Sequence, residues 1–451
     1  MSERKAGGLF PLPLTPLEYY YVCDNQSDYP TAFPAELHFS GRLDRDGFER
    51  ALAEALAGHP MLTARVESLT GGLPAWIEGD GCPPPVDWGG PDEPIRHGDG
   101  PAIDLRAAAG LRVWVRQSDD ATRLFLHFHH ACCDGWASLQ FIEDLLVAYH
   151  RQIEGPRCGV TLRPLDPAGL RNRGRLEVQP GWWAQFRDLW VAARLWSELA
   201  FREPVLLAAG RPVLAETDPP LLDFQTVNVS GELTARLRAV AAAAGGTLHE
   251  VLLADLFHSV EQWNLRHGSD DARPIRINVP ITIRDRDDRL LPAANRLTFA
   301  FLSRRGRHLA DPERLREGIG CEMRAIRQRR LGLYFVGGLG TFCRVPGLIP
   351  WFLRRRHSFA TAVFSFGGRV LARSKLPRAG RRLVAGNVVL ERITGVPPIR
   401  PLTRAAIGVG IYDGQMTINV RCDPRHFSRG DTLAFARLYE QRLAFTAGMG
   451  R

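Results

Sequence analysis

Lysine is nearly absent from this 451-residue chain, standing only at Lys5 and Lys375, so the formal charge of +9 is carried by arginine. Planar guanidinium forks suit phosphates and carboxylates, which fits an anionic partner; a solvated arginine-rich surface fits equally well. No zinc-finger spacing, basic helix or arginine run interleaved with aromatics is present, so the common nucleic-acid signatures are excluded and no nucleic-acid partner is expected. The eight cysteines, at 23, 82, 132, 133, 158, 321, 343 and 422, form no C-x-x-C pair. A chain of this size needs no disulfide staples, and a reduced, cytoplasmic setting is expected. No apolar run approaches the roughly eighteen residues a membrane span requires. The first twenty residues lack an apolar core and contain Pro11, Pro13 and Pro16, unlike a secretory signal. Also missing are a G-x-S-x-G elbow, a G-x-x-x-x-G-K-[ST] phosphate loop and an H-E-x-x-H helix. Gly337-Gly338-Leu339-Gly340 has no dinucleotide-binding context around it.

What is present is an ordinary globular composition, 45% hydrophobic and 24% charged, long enough for two domains or one large composite unit. Strands and helices alternate along the whole chain, so the class is α/β. Period-two patterns predict strands at 33–39, 111–116 and 123–129, then at 226–229, 276–283, 297–301, 406–412 and 415–421. Helical spacing predicts helices at 46–57, from 139 onward, at 233–244, from 247, and at 431–445. Asp413-Gly414 marks a hairpin. Residues 80–103 read as loop and 158–175 as a polar crossing linker, and the prolines of 203–220 as the boundary between two similar halves.

The chemistry concentrates in His129-His130-Ala131-Cys132-Cys133-Asp134-Gly135. An apolar strand runs into it and a helix leaves it, placing histidine at a strand end beside an Asp-Gly turn. An imidazole there titrates near neutrality and is suited to take a proton from a hydroxyl or amine. A packed core histidine and a metal site are the alternatives. Adjacent Cys132 and Cys133 do not chelate one ion easily and no second ligand cluster appears, so no metal is expected.

The combination His-His-x-x-x-Asp-Gly between strand and helix resembles the chloramphenicol acetyltransferase superfamily, and within it condensation domains and polyketide- or lipid-associated acyltransferases. Further landmarks follow in the same order: Pro13-Leu-Thr-Pro-Leu-Glu18, Gly58-His59-Pro60-Met61-Leu62, Asn278-Val279-Pro280 through Arg284 with Asn295, and Gly395-Val-Pro-Pro-Ile-Arg-Pro401. The resemblance implies two acetyltransferase-like subdomains in a V-shaped pseudo-dimer, with a channel between them. The halves fall at 1–175 and 221–451, with 176–220 as linker and aromatic helix. His130 is then the catalytic base and His129 is structural. Asp134 pairs with Arg284 in a buried bidentate contact, Gly135 permits a tight turn, and Ser365, Gly367 and Asn295 are candidate channel residues.

The implied activity moves an acyl group from a thioester to an alcohol or amine. Coenzyme A or a carrier protein's phosphopantetheine is the co-substrate, and no bound cofactor is expected. Two other activities stay open: a free-standing condensation domain joining carrier-bound partners, and a non-catalytic protein that binds acyl carriers. Departures from the pattern are His249-Glu250, where relatives often carry Asn-Asp, and Ser365, where they commonly carry asparagine. The aromatic helix 182–196 and the segment 331–356, ending Arg354-Arg355-Arg356, suggest peripheral contact with an anionic membrane; packing over the core is the alternative.

Overall fold

A computed structural model describes residues 8–68, 72–155, 157–175, 182–210, 223–355 and 357–449. The N-terminal half runs β1 (Leu12–Pro13), α1 (Pro16–Asp24), β2 (Ala32–Ser40), α2 (Arg45–Ala57), β3 (Arg65–Glu67), β4 (Ala75–Ile77), β5 (Val86–Gly89), β6 (Leu111–Gln117), β7 (Ala121–His129) and α3 (Gly135–Glu154). Helix α4 (Trp182–Phe201) leads to the second half: β8 (Gln225–Val229), α5 (Gly231–Ala243), α6 (Leu248–Arg266), β9 (Ile275–Thr282), β10 (Leu297–Arg304), α7 (Gly306–Leu309), α8 (Pro312–Gln328), α9 (Leu333–Phe342) and α10 (Leu348–Leu353). The chain closes with β11 (Ala362–Arg369), β12 (Arg378–Ala379), β13 (Arg382–Ala385), β14 (Val388–Gly395), β15 (Ala405–Tyr412), β16 (Gln415–Cys422) and α11 (Arg429–Thr446).

The two large sheets are ordered β12-β13-β14-β2-β7-β6-β5 and β10-β9-β11-β15-β16-β8. Strands β2, β7 and β6 are buried over most of their length, polar positions such as Arg112, Arg116 and His127 included, with α2 and α3 packed together and α3 against β13. Helices α5, α6 and α11 pack on one another and on the second sheet, and a core of its own forms there around Phe257, Ile407 and Phe435. The Asp413-Gly414 turn between β15 and β16 has φ of +49° and +81°, as the predicted tight hairpin requires.

Three features depart from the sequence reading. The stretch 80–103 is not all loop: β5 forms there and pairs in parallel with β6. The polar stretch 158–175 is pinned rather than loose. Arg173 from it forms a bidentate pair with buried Glu18, at 2.7 and 2.8 Å, and Trp76 Nε1 donates to the same carboxylate at 3.0 Å. Chain order and sheet membership also part company, since residues 378–395, sequentially in the second half, complete the first sheet through β14 beside β2. The linker residues 176–181 and 211–222, and Arg356, lie outside the described residues.

Candidate active site

Strand β7 ends at His129, and α3 starts at Gly135 with Asp134 as its N-cap, so the motif occupies one tight loop. Asp134 Oδ1 accepts from Ala137 N–H at 2.9 Å and satisfies a first-turn donor that would otherwise be orphaned. Its other oxygen, Oδ2, accepts from Arg284 Nη1 at 2.5 Å and from Arg296 N–H at 2.8 Å. The carboxylate therefore faces away from the cavity and ties the loop to the second half of the chain.

The expected Asp134–Arg284 contact exists, but it is single-pronged. Arg284 spends its second nitrogen, Nη2, on the carbonyl of Ala294 at 2.7 Å, and its guanidinium lies 4.7 Å from the Trp136 ring. Bidentate acid–arginine pairs form instead at Glu18–Arg173 and Asp24–Arg400. With side chains only 3% and 8% exposed, removing Asp134 would leave the arginine charge uncompensated, so the pair fixes the loop more than it adds net stability.

The two histidines separate as expected. His129 is enclosed: its Nδ1 accepts from Ala131 N–H at 3.1 Å, which places the proton on Nε2, 3.3 Å from Thr31 Oγ1. Burial pushes its pKa down to about 3, so it stays neutral and structural. His130 lines the cavity between the halves. Its Nδ1 is buried and has no hydrogen-bond partner among the described residues. The ring stacks on Tyr21, centroids 4.2 Å apart and planes 12° apart, and meets Phe33 at 4.9 Å. Burial lowers the His130 pKa; its own carbonyl, the Asp134 charge and the Asn295 side chain pull the other way. A neutral imidazole fixed by stacking is the form a general base requires.

Asn295 does not line the cavity. Its Nδ2 donates to the carbonyls of His130 and Ala131, at 2.6 and 2.8 Å, and so holds the motif loop from β10's side. Ser365 and Gly367 do line the cavity, as expected. Gly135 lines it too, but for a different reason from the tight turn anticipated. A Cβ placed there meets nothing within 4 Å, and its φ is not in the left-handed region. The missing side chain keeps the N-terminus of α3, with its partial positive charge, open to the cavity.

The cavity encloses about 150 Å³ and is lined mainly by apolar side chains and by glycines. Gly395 and Gly408 lie back to back: a Cβ on Gly408 would stand 2.3 Å from the Gly395 carbonyl oxygen. Of the two divergent positions, His249 stacks on Phe366 with planes 26° apart, and burial lowers its pKa to about 4. Glu250 closes the capping box with Thr247. His59 is a buried bridge, accepting from Ala293 N–H at 2.9 Å and holding Asp144 at 3.0 Å. Sequence reasoning missed Tyr21, Thr31 and Arg296, because nothing in a local pattern marks a stacking or hydrogen-bonding partner about a hundred or more residues away.

Cys132 and Cys133 are fully buried in the first core. Among the described residues no three His, Cys, Asp or Glu side chains converge as a metal site. Trp196 packs inward, stacked on Phe335 at 5.2 Å, whereas Trp190, Phe201 and Trp351 are exposed. The side chains of Trp182, Trp183, Phe186 and Leu189 lie outside the described residues. Among the described residues no single helix is long and apolar enough to cross a membrane.

No family model matches the chain. Its fold is that of condensation domains. The first condensation domain of the calcium-dependent antibiotic synthetase superposes with a TM-score of 0.69 at 16% identity, over 97% of each chain. The starter condensation domain of rhizomide synthetase RzmA, solved with C8-CoA and Leu-SNAC, gives 0.66 at 13% identity, over 97% of this chain and 94% of that one. Polyketide synthase associated protein 5 from Mycobacterium tuberculosis gives 0.62 at 17%, over 97% and 99%.

Among curated proteins, the uncharacterized protein Rv2305 of Mycobacterium tuberculosis (strain ATCC 25618 / H37Rv) is 26% identical over 287 residues, 60% of this chain and 62% of that protein. Phosphinothricin tripeptide synthetase PhsC of Streptomyces viridochromogenes is 27% identical over 194 residues, 41% of this chain and 16% of that protein. The chain thus spans less than two thirds of the length of the curated relatives it matches.

Proposed function

We propose that the protein is an acyltransferase that moves an acyl group from a thioester to an alcohol or amine. The thioester is carried by coenzyme A or by a carrier protein's phosphopantetheine. The observation that carries the reading is His130: an imidazole kept neutral by burial at the wall of a largely apolar cavity, with the N-terminus of α3 alongside. His130 Nε2 takes the proton of the acceptor hydroxyl or amine as the acceptor attacks the thioester carbonyl. The carbon–sulfur bond then breaks, and the thiolate leaves with the proton returned by His130. A thioester is already activated, so positioning and one base supply most of the rate, with the helix N-terminus favouring the transient oxyanion.

The likeness to condensation domains supports a second reading, in which donor and acceptor both arrive on carrier proteins and an amide or ester is formed between them. Release of free thiol from acyl-coenzyme A, with and without acceptor, tests the first reading. His130→Ala is expected to lower turnover about 10²- to 10⁴-fold with folding intact. Unchanged turnover would remove His130 as the base. Turnover only with loaded carrier protein would select the second reading.

A further inference from the structure

Helices α4, α9 and α10 sort their large apolar residues onto two faces. Inside, Trp196 stacks on Phe335 and packs against Phe342 and Phe352, ring centroids 4.7 and 5.8 Å away. Outside, Trp190 and Phe201 are 79% exposed and Trp351 60%, with Val345 exposed between α9 and α10. Trp190, Arg194, Ser197 and Phe201 follow at intervals of four, three and four residues, so they share one face of α4 over about 16 Å of helix. Arg355 joins that helix to α10. Its Nη2 donates to the Ala200 carbonyl at 3.4 Å, and its guanidinium lies 5.6 Å from the Trp351 ring. Single exposed rings are ordinary on a protein surface, but three on adjoining helices among arginines mark an interaction face.

The charge around these rings is of one sign. From Met323 to Leu390, the stretch that supplies α9 and α10, the sequence has no aspartate or glutamate. Arg344, Arg354 and Arg355 are exposed on it, and Arg202 is exposed beside Phe201. The acids of this end of α4 are spent locally: Glu198 on Arg194 at 3.4 Å, and Glu203 on His357 at 3.1 Å and Arg273 at 3.6 Å.

We infer that this face docks on an anionic lipid surface. Tryptophan and phenylalanine enter the boundary between headgroups and acyl chains, while the arginines meet the lipid phosphates. A second copy of the chain is the wrong occupant, because a two-fold contact would set the patch against itself, arginine against arginine. The inference stands apart from the acyl-transfer reading and from His130.

The test is co-flotation of the full chain with vesicles of phosphatidylcholine, alone or mixed with phosphatidylglycerol. Binding to the anionic vesicles is expected to exceed binding to the zwitterionic ones at least about tenfold, and to weaken as salt rises. The double variants F201E/W351E and R344E/R354E, altered only at exposed side chains, are each expected to lower that binding about tenfold or more with melting temperature unchanged. R373E/R381E makes the same charge change at exposed arginines beside the β12 edge of the first sheet, and is expected to keep vesicle binding.

An equal loss in R373E/R381E would trace the binding to net charge and overturn the inference. So would equal binding to zwitterionic vesicles, or none to anionic ones, which is the result an acidic protein as occupant would give.

Discussion

Gly135 shows how a single residue type can be right for a reason other than the one its neighbours suggest. An Asp-Gly pair invites a tight-turn explanation, yet this glycine has open space where a Cβ would go and lies in ordinary helical backbone. Gly135→Ala is therefore expected to leave stability unchanged or to raise it by less than the roughly 0.5–1 kcal/mol that a glycine in a helix interior costs relative to alanine, because Gly135 is the first residue of α3. The added methyl would project into the cavity, so turnover should fall most for the bulkiest acceptors. Thermal melts and acceptor-series kinetics on one preparation check both halves of this prediction, and a large loss of stability would restore the turn explanation. Asp134 and His129 were readable as holding residues. Asn295 was readable as a residue of the site, but its two bonds to the loop carbonyls are a tertiary fact.

At the scale of elements, β14 is the device that joins the halves. It pairs with β2 in the first sheet, yet it leaves that sheet at Gly395 in backbone contact with Gly408 on β15 of the second. No side chain fits between two main chains at that spacing. Gly408→Ala is expected to destabilise the protein by about 1–3 kcal/mol, because backbone on both sides must move. A lower urea midpoint with an unchanged slope is the expected readout; an unaltered midpoint would mean that the crossing is compliant. The strands and helices flanking the motif were legible because alternation and helical spacing are local. The short β5 was not, since its four residues alternate weakly and depend on pairing with β6.

Across the whole molecule, buried histidines set the response to acid. Burial holds His127 and His129 at about 3, and His249 and His258 at about 4, against 6.5 for the free side chain. Below about 6.5 the unfolded chain binds protons that the folded protein refuses, so the stability these groups contribute is present above that value and lost as pH falls toward 3. Asp255 acts in the opposite sense, raised by burial from 3.8 to about 6, and offsets part of the loss in that narrower window. The urea midpoint is expected to drop steadily between pH 7 and pH 4, and a flat profile would contradict the burial of these rings.

By itself the sequence determined the α/β class, most of the strand and helix order, and the strand–loop–helix that carries His130, since each depends on periodicity and turn chemistry within a few residues. Only the tertiary structure decided that Arg173 closes on Glu18, that Tyr21 stacks on His130, that residues 378–395 return to the first sheet, and that Arg355 reaches the end of α4. Those contacts join positions far apart in the chain, and no local pattern encodes which distant partner packing and charge will bring to them.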